Sequence, residues 1–100
     1  MVKITYQNRA RHITVDVRGH AGHAPKGEDV VCAGVSTLTV TLADALSRVY
    51  APGFKAVMDD GAAHIECREN KQTRPIVQTI FRGFDMLAAS YPDEVQIIIG

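Results

Sequence analysis

The chain has 100 residues, which is one domain's worth of sequence, and it predicts a single domain over residues 1–100. Hydrophobic residues make up 46% and charged residues 22%, which is ordinary globular composition and excludes a disordered chain. Eleven basic residues balance eleven acidic ones, so the net charge of +0 gives no long-range attraction to phosphate backbones and no direct nucleic-acid partner is expected.

The sequence also indicates where the protein works. Neither a signal peptide nor an apolar run of about eighteen residues is visible, so we expect no membrane association. Two cysteines, Cys32 and Cys67, are too few for a disulfide framework. The prediction is a cytoplasmic protein in which Cys32 stays a reduced thiol.

The first predicted element is a β-hairpin. Apolar and polar residues alternate over residues 2–6 and again over 13–17, and the polar residues 7–11 separate the two runs. Three glycines and one proline over residues 19–27 then predict a loop.

The next segment is ambiguous between strand and helix. Residues 37–42 alternate like a strand and are rich in β-branched side chains. Apolar residues at helical spacing nevertheless extend over about five turns, and the longer match favours a helix from about Asp29 to Tyr50. Asp29 would be its N-cap, and Pro52-Gly53 would stop it.

The second half of the chain predicts another hairpin and another helix, followed by a last strand. Residues 54–58 and 63–67 alternate around an Asp-Asp-Gly turn, which predicts a hairpin. A second helix follows, with Pro75 in its first turn and Pro92 at its end, and residues 95–99 read as a last strand. The order β-β-α-β-β-α-β predicts a two-layer α+β domain, with two helices covering one face of a mostly antiparallel sheet.

Chemistry is indicated where the first hairpin leads into the first helix. Cys32 would lie in the first helical turn, where the helix dipole favours a thiolate by roughly 0.3–1 kcal/mol. His20 or His23 in the preceding loop could serve as its general base. Two other interpretations stay open here: Cys32 as a small core residue, and a zinc site formed with His20 and His23.

Other polar residues carry weaker signals. Asp29 could orient an imidazole besides capping the helix, and Ser36 lies one turn after Cys32 on the same helical face. Cys67 shares a strand face with apolar residues, which predicts core packing, and His12 has no visible partner.

The segments Gly19-His20-Ala21 and Gly27-Glu28-Asp29-Val30-Val31-Cys32-Ala33-Gly34-Val35-Ser36 resemble the signature of the ribosomal-processing cysteine protease family, Prp. The resemblance in length and element order extends over essentially the whole chain.

The resemblance implies a cytoplasmic, homodimeric cysteine endopeptidase without a cofactor or a metal. Its substrate would be the N-terminal extension of a large-subunit ribosomal protein (L twenty-seven), an extension ending in aromatic and small residues. The catalytic pair would be His20 and Cys32, with Asp29 and Ser36 in supporting roles. The substrate loop would include the glycines of the segment, Gly19, Gly22 and Gly27.

Two functions compete with an endopeptidase. A non-catalytic, ribosome-associated module of the same fold would bind peptide without cleaving it. A small zinc-binding regulator would use His20, His23 and Cys32 as ligands.

Overall fold

The computed structural model describes residues 1–19 and 30–100. Within these ranges the protein folds into five strands and two helices. In chain order they are β1 (Val2–Arg9), β2 (His12–Arg18), α1 (Val30–Arg48), β3 (Lys55–Asp59), β4 (Ala62–Arg68), α2 (Thr73–Ser90) and β5 (Val95–Ile99). The strands form one sheet in the order β3-β4-β2-β1-β5. Every pairing is antiparallel except that of β1 with β5. The predicted α+β class and element order are confirmed.

One face of the sheet forms the core with both helices. Alternate residues of the central strands point to this face and are almost fully buried, as the period of two requires. They pack against the apolar stripes of α1 and α2. The core comprises Val2, Ile4, Ile13, Val15, Val17, Val31, Val35, Leu42, Leu46, Ala51, Ile65, Cys67, Val77, Ile80, Phe84 and Val95. The intervening strand residues are mostly polar and face away from the helices.

The first hairpin has a tighter turn than predicted. β1 and β2 continue to the pair Arg9 and His12, so the loop is only Ala10-Arg11 rather than residues 7–11. Asn8 pairs with Ile13 in this extension, is exposed, and donates from Nδ2 to Glu69 at 3.1 Å. The apolar alternation therefore stops before the hydrogen-bonded ladder does.

Both residues of that turn have left-handed backbone. Ala10 has φ 51° and Arg11 has φ 66°. Two positive φ values define a type I′ turn, which matches the twist of the strands and usually contains Asn or Gly.

The ambiguous segment is helical, as predicted. Three threonines of α1 satisfy their hydroxyls within the helix, where Thr37, Thr39 and Thr41 each donate to the carbonyl oxygen four residues earlier. The three threonines that give residues 37–42 their strand-like pattern therefore leave no unsatisfied hydroxyl group in α1.

The end of α1 is a Schellman motif. Ala51 N–H donates to Leu46 O at 3.0 Å, and Tyr50 N–H donates to Ser47 O at 3.1 Å. Tyr50 takes the left-handed position with φ 51°, where glycine is the usual residue. The last helical residue is Arg48 rather than the predicted Tyr50.

By composition α1 is unusually apolar. Its mean hydropathy of 1.6 and its length would suffice to cross a membrane, contrary to the expectation that no such stretch exists. Its buried apolar residues pack on the sheet as part of the core.

A capping network begins α2. Asn70 Oδ1 accepts hydrogen bonds from the backbone N–H groups of Gln72 and Thr73, both at 2.9 Å. The fully buried hydroxyl of Thr73 donates to Arg68 O at 2.8 Å, which ties the helix to the end of β4. Pro75 is tolerated in the first turn, as predicted, whereas α2 ends at Ser90, before Pro92.

Candidate functional site

A cavity of about 150 Å³ lies beside Cys32. Cys32 is the third residue of α1, in its first turn as predicted, and it is partly exposed. The walls come from α1, from the starts of β1 and β4, from the ends of β2 and β3 and from the β3–β4 turn. They comprise Val2, Val17, Gly19, Cys32, Val35, Ser36, Thr39, Val40, Met58, Asp60, Gly61, Ala62 and Ala63.

Gly19 fixes where the chain leaves β2 for the loop. It has φ 102°, and a Cβ on it would overlap the carbonyl oxygen of Met1. Its N–H donates to Gly61 O at 2.8 Å, which joins the end of β2 to the β3–β4 turn. A side chain at this position would be strained in backbone and crowded in space, so the position requires glycine.

The predicted site residues fall into two groups. Ser36 lines the same cavity as Cys32, and Gly19 forms part of its wall. The other predicted residues lie outside the described part of the chain, namely His20, Gly22, His23, Gly27 and Asp29. The cavity therefore brings together the sulfur, the hydroxyl and the glycine that the sequence singled out.

The cavity is predominantly apolar, and its size matches a large side chain. A dry protein cavity of about 150 Å³ accommodates a benzene ring. Val40 contributes apolar surface from α1 and Met58 from β3, although both are partly exposed, 56% and 41%. The site can hold an aromatic or large aliphatic group next to the Cys32 sulfur.

Sequence reasoning missed the contribution of the β3–β4 hairpin. Met58, Asp60 and Gly61 were assigned to a strand and a turn, with no link to Cys32. Their proximity follows from the pairing of β4 with β2, which spans almost half the chain. Only the apolar, exposed Met58 at the end of a strand could have signalled a binding surface.

The second thiol, Cys67, is a core residue, as predicted. It is 1% exposed, and burial raises the pKa of its thiol. Because the thiolate is the nucleophile, Cys67 is chemically inert, and of the chain's two cysteines Cys32 is the one within reach of a substrate.

The described residues offer no metal centre. Among residues 1–19 and 30–100, no group of three or more histidine, cysteine or acidic side chains could hold a metal ion. The zinc hypothesis rests on His20 and His23, which lie outside these ranges.

A chain of alternating histidines and carboxylates lies on the solvent face of the sheet. His64 contacts Asp16 through Nδ1 and Glu66 through Nε2, both at 2.7 Å. His12, which the sequence left without a partner, lies with Nε2 at 2.7 Å from the other oxygen of Glu66. No partner of His12 is visible in the sequence because Glu66 is 54 residues away.

This network shifts the protonation of its members. Hydrogen bonds to Asp16 and then to Glu66 raise the pKa of His64. Hydrogen bonds from His12 and His64 lower the pKa of Glu66. The network clamps β2 to β4 on the face opposite the Cys32 cavity.

Comparison with known proteins identifies the family. The sequence model of the family described as Cysteine protease Prp matches residues 1–96. A Staphylococcus aureus protein named ribosomal processing cysteine protease Prp is 25% identical over 100 residues, which cover 96% of this chain and 94% of that protein.

Solved structures share the fold. That of an essential ribosomal processing protease Prp from S. aureus, in complex with a covalently linked product peptide, superposes with a TM-score of 0.88 at 23% identity, over 100% of both chains. That of the S. aureus protease with a substrate peptide superposes with a TM-score of 0.84 at 22% identity, again over 100% of both chains.

Proposed function

Because the chain belongs to the cysteine protease Prp family, we propose that it removes the N-terminal extension of a large-subunit ribosomal protein (L twenty-seven) in the cytoplasm. The observation that carries the proposal is the accessible Cys32 thiol in the first turn of α1, beside an apolar cavity. A helix start supplies unsatisfied backbone N–H groups, which favour a thiolate and a developing oxyanion.

The proposed mechanism assigns roles to the predicted catalytic pair and to its two supporting residues. His20 takes the proton of Cys32, and the thiolate attacks the scissile carbonyl carbon. His20 then protonates the leaving amine. Water hydrolyses the acyl-enzyme thioester, which breaks its C–S bond, releases the other product as a carboxylate and restores the Cys32 thiol. Asp29 orients His20, and Ser36 contacts the bound peptide from the cavity wall.

The cavity supports an aromatic substrate side chain next to the bond that is cut. Its volume of about 150 Å³ and its valine, methionine and alanine walls suit a ring better than a charged group. We further propose that the enzyme acts as a homodimer, since a chain of this size buries only about two thirds of its unfolded surface.

Mass spectrometry tests the proposal on a synthetic peptide that spans the ribosomal protein's N-terminal extension. We expect one cut with wild-type protein and none with Cys32→Ala, because the nucleophile is removed. The matched control is Cys67→Ala, which removes a buried thiol and should leave the cut in place.

Two outcomes would contradict the proposal. Cleavage by a folded Cys32→Ala protein would show that another group is the nucleophile. Binding of the peptide without cleavage, by wild-type protein whose Cys32 is confirmed reduced, would support the non-catalytic binding module instead.

A further inference from the structure

The charges of this protein are balanced in number but separated in space. Cationic side chains concentrate where β1 and β4 end, where β2 and β3 begin and where α2 begins. We call this region the basic end, comprising Arg9, Arg11, Lys55, Arg68 and Lys71, all of them exposed. At the other end of the sheet, the described acidic residues Asp59, Asp60, Asp93 and Glu94 outnumber Lys3 and Arg18.

The sheet register places these cations side by side. Arg9 faces His12 across β1 and β2, and His12 faces Arg68 across β2 and β4. Neighbouring strands lie about 4.8 Å apart, so the backbones of Arg9 and Arg68 are within about 10 Å of each other. Their side chains extend from the same face of the sheet. A Cβ on Gly53 would lie 3.8 Å from Arg68 N and 3.9 Å from His12 Cε1, so the loop that follows Tyr50 packs against the same row.

These cations are not neutralised by their neighbours. The acidic groups nearby are committed elsewhere: Glu69 to Arg74 at 3.6 Å and Glu66 to His12 at 2.7 Å. Within residues 1–19 and 30–100, no ion pair reaches Arg9, Arg11 or Arg68. Their positive charge is available to a partner.

Three non-glycine residues at this end have left-handed backbone, namely Ala10, Arg11 and Tyr50, and two of them carry large side chains. Arg11 has φ 66° in a turn that favours Asn or Gly, and Tyr50 has φ 51° at a helix end that favours Gly. The Tyr50 side chain is 90% exposed, so it contributes little to packing. Left-handed backbone is costly for such residues, and unrelieved strain is a feature of functional positions.

We propose that the basic end binds single-stranded RNA, with Arg9, Arg11 and Arg68 on phosphates and Tyr50 stacked on an unpaired base. A guanidinium donates two parallel hydrogen bonds to a phosphate, and an exposed aromatic ring stacks on bases of any sequence. This combination favours RNA over an acidic polypeptide, which offers no base to stack. The inference goes beyond the proposed protease function and does not depend on it.

The basic end lies at the opposite end of the sheet from the Cys32 cavity, so RNA and peptide would bind at separate sites. The Cys32 cavity lies at the start of α1 and the end of β2, whereas the basic end lies at the end of α1 and the start of β2. A strand of seven residues spans about 23 Å, so both sites can be occupied together.

Fluorescence anisotropy with a labelled single-stranded RNA of about a dozen nucleotides tests the charge contribution. The variant Arg11→Gln/Arg68→Gln is compared with Lys3→Gln/Arg82→Gln, which removes the same charge away from the basic end. We expect the first variant to bind more weakly and to flatten the slope of log K against log salt by about 1.4, or about 0.7 per lost phosphate contact. An equal effect of both variants, or no binding by wild-type protein at about 0.05 M salt, overturns the proposal.

Tyr50→Gly separates a binding role from a structural one. Glycine relieves the left-handed strain, so the midpoint of urea unfolding should rise. Loss of one stacked base should weaken RNA binding roughly 5- to 150-fold at the same time. A higher unfolding midpoint with unchanged RNA affinity would overturn the stacking role.

Two further measurements complete the test. Unlabelled polyglutamate should displace the RNA far less well than unlabelled RNA of equal charge, and equal competition would favour an acidic protein partner and overturn the proposal. Peptide cleavage by the Arg11→Gln/Arg68→Gln and Tyr50→Gly proteins should match wild type, so the RNA inference and the protease proposal succeed or fail separately.

Discussion

His64 shows how protonation is fixed at a single residue. Each ring nitrogen lies 2.7 Å from a carboxylate oxygen, one of Asp16 and one of Glu66. Ionised carboxylates only accept hydrogen bonds, so both nitrogens must donate, and the ring that fits this site is the imidazolium. Loss of either proton would bring a nitrogen lone pair against a carboxylate.

The stability of the fold should therefore depend on pH through this residue. The folded-state pKa of His64 is raised, so its contribution is full below about pH 6.5 and is lost as pH rises through the folded pKa. The pKa of Glu66 is lowered, so its contribution is present above about pH 4.5 and is lost at lower pH. Both contributions are therefore present between about pH 4.5 and pH 6.5. At higher pH, the free energy of unfolding should fall as His64 loses its proton.

Urea unfolding of wild-type and His64→Gln proteins at about pH 6 and pH 9 measures this effect. We expect the wild-type free energy of unfolding to fall more between the two pH values than that of the variant, because glutamine cannot titrate. Parallel behaviour of the two proteins would show that the clamp contributes nothing.

Residue positions were predictable where the signal was local. Cys32 was placed correctly in a first helical turn because the apolar spacing around it defined α1. The pairs His12–Glu66 and His64–Asp16 were not predictable, because they span 54 and 48 residues and depend on the register of β2 with β4. The contact of His64 with Glu66 is local, two residues along β4.

At the scale of elements, the two helices meet through glycines. A Cβ on Gly83 of α2 would lie 2.7 Å from Leu38 Cδ2, and a Cβ on Gly34 of α1 would lie 3.2 Å from Leu87 Cδ1. Each glycine thus receives a leucine of the other helix, which lets the helix backbones approach closely.

The variant Gly83→Val should lower the free energy of unfolding by about 1–3 kcal/mol, since its extra methyl groups collide with Leu38. A double-mutant cycle with Leu38→Ala checks the cause, because the truncated side chain makes room for valine and the double variant should lose less than the sum of the two single losses. Ala89→Val, on the exposed side of the same helix, measures what a β-branched residue costs α2 away from Leu38, whereas Gly83→Val gains helix propensity, so a loss at Gly83 reports the collision. Additive losses in the cycle would mean that the two side chains do not compete for the space.

The elements themselves were largely predictable. Helical spacing over five turns outweighed the six strand-like residues 37–42, and α1 is indeed a helix. The length of the first hairpin was predicted wrongly, because β1 is polar from Gln7 to Arg9 while the hydrogen-bonded ladder continues to Arg9 and His12.

At the scale of the whole molecule, one core holds both layers together. Phe84 is 0% exposed and lies with its ring 5.2 Å from that of Phe81, edge to face. Because every described element except β3 contributes residues to this single cluster, a defect at its centre should affect the whole fold at once.

We expect Phe84→Ala to lower the free energy of unfolding by about 3–5 kcal/mol, a large part of the 5–15 kcal/mol typical of a domain. Far-UV and near-UV circular dichroism should report the same shifted urea midpoint. Met86→Ala in the same helix removes a side chain that is 72% exposed and should change the midpoint little. Separate midpoints for the two signals would show that the layers unfold independently.

The two-layer architecture was predictable from the order of the elements, but the distribution of charge over the protein surface was not. A net charge of +0 conceals a basic end, because basic residues far apart in sequence are collected there by the strand order β3-β4-β2-β1-β5. Composition averages over the surface, whereas a binding partner contacts one part of it.

The parallel pairing of β1 with β5 also orders the assembly of this protein in time. β1 ends at Arg9, whereas β5 begins at Val95, so the neighbour of an early strand is synthesised last of all the elements. Val2, in the wall of the Cys32 cavity, is held by a hydrogen bond from its N–H to Glu94 O at 2.8 Å. A nascent chain that stops before Glu94 has neither that carbonyl nor the strand that closes the edge of β1. A complete cavity therefore arises only when translation of the domain is nearly finished.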